Sequence, residues 1–400
     1  MILSIAMWKT PAPGVPHRAM MMVCCCAIAL GACSEAPAER PAKAVGAIAE
    51  TEYESTPIEP AVLDTVRCVA TQAAACVLDP VQDVAMWERE SWVLARGVLY
   101  RIDSAGTISI VARSGGGPGE VRAPIALGES GFEGDGVTVF DIANARLSTF
   151  IAGDSAAGTS VMPPPYFRNM RIRRGALHAY ALPPASSIGD TVPGTILRYN
   201  VERGGWIDTV ARFTDRAVAV HGNGGQALAR LPWERALLWD VCGNGDLITA
   251  FSDGWTVRRF RAGTSSASDS IHRPAYRAEP MSDEEHTALS TQALETAPPL
   301  PAFREVLAKR LAVKPAARLA LEQLFCTTSG NAVVVNTSSA GATDRVVDVI
   351  GADGTVQRRV RVPNVVRLVG AYGERLVGVQ EADEGTSRIV RIDVASASKR

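Results

Sequence analysis

The sequence has little of what usually announces a function. Aromatic residues make up 6% of its 400 residues, and there are five histidines. These, His17, His178, His221, His272 and His286, form no HExxH pair and no other metal-ligand spacing. There is no CxxC pair, no GxSxG nucleophile elbow and no glycine-rich loop ending in Lys-Ser/Thr. Acidic and basic residues nearly cancel, 42 against 41, so there is no basic footprint for nucleic acid. After the first thirty or so residues, no apolar run approaches the roughly 20 residues of a membrane helix. The chain therefore offers no metal, no cofactor, no nucleic-acid partner and no catalytic residue that its pattern alone identifies.

What is present begins at the N-terminus. Lys9 and Arg18 precede an apolar stretch over residues 19–30, and no acidic residue occurs before position 33. At about a dozen residues this stretch suits a signal peptide rather than a membrane span. It ends in Leu30-Gly31-Ala32-Cys33-Ser34, which resembles the lipobox of bacterial lipoproteins. The resemblance implies cleavage after residue 32 and lipidation of Cys33, with several acyl chains giving a firm anchor. A serine after the cysteine implies sorting to the outer membrane, facing the periplasm. Loss of residues 1–32 leaves 39 basic and 42 acidic residues, a net charge near −3.

Four cysteines remain besides Cys33 and those of the signal: Cys68, Cys76, Cys242 and Cys326. Export lets disulfides persist. Cys68 with Cys76 would close a short loop, and Cys242 with Cys326 would tie distant segments. Four buried thiols are the alternative, since spacing does not fix pairing. Residues 34 to about 62 are rich in Ala, Pro and Glu, and such a composition reads as a flexible tether.

From about residue 85 the pattern is β. Turns precede apolar strands at Arg96-Gly97, Asp135-Gly136, Arg174-Gly175, Asn244-Gly245, Ser329-Gly330 and Tyr372-Gly373, and each strand is followed by a second apolar run. The spacing of about 40 residues is that of a four-stranded propeller blade. A single blade cannot bury both of its faces, whereas a ring of them can. The last strand, near Ile389, pairs with an N-terminal strand in this scheme and closes the ring. Ser282-Asp283-Glu284-Glu285 is a capping box, and Phe303, Val306, Leu307 and Leu311 keep helical spacing. The expected architecture is all-β, a six-bladed β-propeller over residues 85–396 with a helical insertion over 280–312, preceded by a signal over 1–32 and a tether and N-terminal segment over 33–84.

The run Ser114-Gly115-Gly116-Gly117-Pro118-Gly119-Glu120, followed by Pro124, resembles the six-bladed, NHL-like propeller lipoproteins of bacteria. The next blade adds Asp141, Asn144 and Arg146 before a strand ending in Phe150, similar to the NHL signature. The resemblance implies a fold, and a fold is not a function. Asp141, Asn144 and Arg146 read as a network bracing a turn, with Asp141 paired to Arg146. Glu120, Asp141 and Asp246 are oxygen ligands by type only. The tryptophans Trp87, Trp92, Trp206, Trp233, Trp239 and Trp255 read as core.

The functional expectation is a monomeric, membrane-anchored binding or scaffold module for a protein, peptide or glycan, and not an enzyme. The alternative is a calcium-dependent hydrolase or lactonase with its site in the central channel. The targeting segment has a direct test. Cys33→Ala should abolish incorporation of labelled palmitate and move the chain from the membrane to the soluble fraction. Unchanged labelling in the variant would refute the anchor.

Overall fold

The computed structural model describes residues 43–66, 78, 80–86, 90–130, 136–151, 154–155, 158–164, 167–182, 191–216, 220–222, 225–227, 231–297, 299–339, 341–382 and 386–395. The signal, Cys33, the Cys68–Cys76 pair and Trp87 lie outside these residues.

Six sheets form the six blades of a β-propeller. From the innermost strand outward, blade 1 is Val81–Met86, Ser91–Ala95, Val98–Ile102 and Ile108–Ala112. Blade 2 is Pro124–Glu129, Gly136–Asp141 and Arg146–Ile151, edged by Asp154–Ser155 and Thr159–Ser160. Blade 3 is Phe167–Arg173, Ala176–Ala181, Thr191–Asn200 and Gly205–Arg216. Blade 4 is Leu237–Val241, Leu247–Phe251, Thr256–Phe260 and Asp269–His272. Blade 5 is Leu321–Cys326, Ala332–Asn336, Asp344–Ile350 and Val356–Pro363. Blade 6 is Val366–Tyr372, Arg375–Ala382 and Thr386–Asp393, and its outer strand comes from the other end of the chain.

The glycine turns act as expected in blades 2 to 6, where the run after each turn is the second strand. In blade 1 the Arg96–Gly97 turn opens the third strand instead, so the ring begins at Val81 rather than near residue 85. Both residues of this two-residue turn have positive φ, 50° and 71°, as do Arg174 and Gly175 at 48° and 70°. That backbone matches the twist of the flanking strands.

The core is a circle of inter-blade layers. One apolar cluster joins blades 1, 2 and 6 through Trp92, Leu127 and Val379. Others join blades 2 and 3, 3 and 4, 4 and 5, and 5 and 6. Trp92, Trp239 and Trp255 are buried within these layers. Cys242 follows the innermost strand of blade 4 and is disulfide-bonded to Cys326, which ends that of blade 5, with 4.8 Å between their Cα atoms. Closing a loop of 84 residues in the unfolded chain stabilises the fold by roughly 4–5 kcal/mol on an entropic account.

The expected tether is corrected over its second half. Strand β1, Lys43–Ala47, pairs in parallel with the outer strand of blade 4. Helix α1, Glu50–Ser55, follows, and β2, Ile58–Pro60, pairs in parallel with the outer strand of blade 5. Strand β3, Leu63–Thr65, then pairs antiparallel with Thr386–Asp393 and completes blade 6. The segment is a belt around three blades. Composition misses it because an edge strand is held mainly by main-chain hydrogen bonds on one side.

A helix of six residues is not stable alone. Tyr53, 4% exposed, holds α1 to the ring. Its hydroxyl donates to Asp348 Oδ2 at 2.7 Å. Arg273 and Arg359 lie over its ring, 3.7 and 3.9 Å from the centroid. Trp255 meets it edge-on at 6.3 Å. Arg273 also pairs with Glu50.

The insertion is present as α2, Asp283–Glu295, and α3, Pro301–Leu311. Ser282 caps α2 by accepting from the Glu285 amide at 3.1 Å. The helices bury Ala293, Phe303, Leu307 and Leu311 against Leu231 and Trp233 of the blade 3–4 connection. No helix among the described residues is long and apolar enough to cross a membrane.

Tyr53→Ala should cost about 3–5 kcal/mol, the usual range for emptying a large aromatic site. Tyr53→Phe should cost about 1–2 kcal/mol, since only the bond to Asp348 goes. Urea unfolding measures both, and limited proteolysis should cut the alanine variant first within the belt. A Tyr53→Ala protein as stable as wild type would contradict the latch.

Candidate functional site

The innermost strands of all six blades converge on the central channel. In five of them the pairing with the second strand slips, at the strand's start in Val81/Asp83, Pro124/Ala126, Phe167/Asn169 and Leu321/Gln323 and two residues further on in Leu368/Gly370. A bulge of this kind re-aims a side chain. The narrow part of the channel is a cavity of about 20 Å³, lined among others by Asp83, Leu127, Arg171, Arg173, Asp240 and Tyr372. That is room for about one water.

The channel is charged, and its charges are paired. Asp240 is fully buried. Arg173 Nη2 donates to its Oδ2 at 3.3 Å, and Arg171 Nε stands 3.9 Å from its Oδ1. The amides of Cys326 and Val241 donate to Asp240 at 3.0 and 2.9 Å. Arg173 also donates to the carbonyls of Val241 at 3.2 Å and Ala371 at 3.0 Å, and lies 4.8 Å from the Tyr372 ring centroid. One guanidinium from blade 3 thus holds blades 4 and 6, while Asp240 holds blade 5 through the disulfide strand. Removing one partner would leave the other as an uncompensated buried charge, which typically costs about 3–5 kcal/mol.

Asp83 accepts from the Val84 amide at 2.9 Å and the Leu127 amide at 3.3 Å. Desolvation by the channel walls outweighs these bonds and the nearby Arg171, and its carboxyl is pushed up to about 6. Glu129 is also raised, first by burial. Burial raises the Tyr372 hydroxyl too. His178, on the second strand of blade 3, is lowered to about 4 by burial and then by Arg198, so it is neutral at physiological pH.

The candidate oxygen ligands do not come together. Glu120 Oε2 accepts from the Gly117 amide at 2.7 Å, inside the turn between blades 1 and 2. Asp141 accepts from the amides of Arg122 and Ala123 at 2.7 and 2.9 Å and from Asn144 Nδ2 at 2.7 Å. Arg146 donates to the carbonyls of Gly117, at 2.8 Å, and Glu120. The expected Asp141–Arg146 ion pair is therefore corrected: both residues brace the same turn, through its amides and its carbonyls respectively. Asp246, on blade 4, accepts from the Ala262 amide at 3.0 Å and faces Arg259 at 3.6 Å. Among the described residues no three His, Cys, Asp or Glu side chains cluster as metal ligands. In the channel, Arg171 and Arg173 line the narrow cavity, and their charge opposes a cation there. Nothing in the sequence pattern marked Arg171, Arg173 or Asp240, since their meeting depends on strands from different blades.

No protein-family model matches the chain, nor does any curated protein. Solved structures match the chain at low identity. A Bacteroides fragilis protein described as exported is 10% identical, with 83% of this chain and 94% of that one covered and a TM-score of 0.47. A gluconolactonase from Xanthomonas campestris is 11% identical, covering 84% and 99%, with a TM-score of 0.37. A Mycobacterium tuberculosis puromycin-hydrolysing peptidase is 13% identical, covering 84% and 56%, with a TM-score of 0.36. At this distance none of them transfers an activity.

The raised Asp83 fixes the sign of a pH effect. The native state binds this proton more tightly than the unfolded chain, so the stability it contributes falls as pH rises from about 4 to 6, and the full penalty is present above that. Asp83→Asn should match wild type in Tm near pH 4 and exceed it by a few degrees at neutral pH. A Tm difference that does not change with pH would contradict the assignment.

Proposed function

We propose that this chain is a lipid-anchored β-propeller of the bacterial cell envelope, of the NHL-like group, and that it holds a protein, peptide or glycan partner on the loop face that carries α2 and α3. The observation that carries this reading is the asymmetry of the ring. The connection from blade 5 to blade 6 is two residues, whereas that from blade 4 to blade 5 spans residues 273–320. The long one has its own apolar core and is fixed to the ring on several sides. Arg310 pairs with Glu234 of the blade 3–4 connection and Arg318 donates to the Ser338 carbonyl of blade 5 at 3.0 Å, while the Arg318–Glu279 pair braces the connection internally. A braced projection presents the same surface every time, which lowers the ordering cost of binding.

The belt sharpens the anchor. With β1 starting at Lys43, nine residues separate it from Cys33, a span of about 35 Å when fully extended. The body is held close to the membrane rather than on a long leash. The NHL-like reading is supported by the Gly115–Glu120 turn and the way Asp141, Asn144 and Arg146 brace it.

A photo-crosslinking amino acid at Glu284, exposed on α2, should trap a defined envelope component in living cells, whereas one at Ser109, on blade 1, should not. Identical patterns at both positions would sink the proposal. Turnover of a lactone or ester by the pure protein, abolished by chelation of calcium, would favour the enzyme reading instead.

A further inference from the structure

Blade 4 carries a second polar site, independent of the channel and of the helical face. Thr249 on its second strand pairs across to Arg258 on its third. Phe251 and Thr256 share their face by strand alternation, the face turned towards Phe213 of blade 3, 6.3 Å from the Phe251 ring. Arg235, from the connection between blades 3 and 4, and Asp253 complete the lining of a cavity of about 200 Å³. One water needs roughly 10–15 Å³, so this space has room for more than a few waters.

The lining is rich in donors that have nothing to bond. Arg258 is half-buried and makes no hydrogen bond or ion pair with any described residue. Thr249 is 1% exposed, and its hydroxyl has no hydrogen-bond partner among the described residues. Arg235 lies flat on Phe251, 3.4 Å from the ring centroid, which fixes the plane of its guanidinium. Its Nε is buried without a hydrogen bond, 3.8 Å from Asp253 Oδ1. Two guanidinium groups and a buried hydroxyl thus face one cavity, with a single half-exposed carboxylate at its edge. The Arg235 Nε is a buried donor left unpaired, which is costly, and a ligand that brings acceptors and negative charge meets it together with the Arg258 guanidinium and the Thr249 hydroxyl.

We propose that this cavity binds a compact oxyanion, a carboxylate or phosphate group. Arg258 supplies the bidentate fork, Arg235 a second charge held in place by Phe251, and Thr249 a hydrogen bond from the cavity wall.

The test is calorimetric titration of the purified full chain with inorganic phosphate and, separately, with citrate, at constant ionic strength. Saturable binding of at least one is expected; phosphate alone, or citrate alone, identifies which group the site prefers. Arg258→Gln should weaken binding by about tenfold or more, the loss expected of a charged hydrogen-bonded pair. Thr249→Val should weaken it without lowering the Tm of the free protein, and it decides the matter should Arg258→Gln fail to fold. Arg261→Gln, exposed on the next loop, should leave the affinity unchanged. No saturable binding of either anion, or wild-type affinity in both folded cavity variants, would overturn the proposal.

Discussion

Six twisted sheets packed in a circle bury their faces only if the last sheet meets the first. The chain meets that constraint with strand β3. Leu63, Asp64 and Thr65 pair with Ile392, Arg391 and Val390, so residues more than three hundred positions apart form one sheet. This pairing completes blade 6, which shares an apolar layer with blades 1 and 2 through Trp92, Leu127 and Val379. The belt extends the same device. β1 and β2 add fifth strands to blades 4 and 5 and cover their outer edges, while Tyr53 fills the groove between them.

At the inner edge the same closure is made with charge. Arg173 reaches across the channel to carbonyls on two other blades, and Asp240 accepts from the amide of Cys326, the disulfide residue that ends the innermost strand of blade 5. A buried charge is a poor source of net stability but a good source of geometry, since any other arrangement leaves it unpaired. Asp83 and Glu129 are raised because the walls have displaced water from around them. The channel thus works as an axle. The helical insertion and the blade 4 cavity lie apart from this channel.

The second and third strands of most blades were legible because they are bounded by glycine turns and filled with apolar side chains, as at Asn244-Gly245 before Leu247–Phe251. The capping box at Ser282 and the apolar spacing of α3 were equally plain. The innermost strands were not. Bulges such as Val81/Asp83 and Leu321/Gln323 break the two-residue alternation, and polar residues turn to the channel where an apolar one would mark a strand. The belt escaped for another reason. Lys43–Ala47 is as poor in apolar side chains as a linker, and only its backbone pairing makes it a strand. Arg258 and Thr249 were illegible as a pair, because cross-strand register is not written in any local motif.

Closure by the N-terminal segment is the claim on which the rest rests, and native-state hydrogen exchange tests it most directly. The amides of Asp64 and Val66, which face Thr386–Asp393 in the antiparallel ladder, should be protected as strongly as the ladder amides of that strand, and both should exchange only with global unfolding. Rapid exchange at Asp64 and Val66 while blades 1 to 5 stay protected would show that the ring closes without the belt, and would contradict this account.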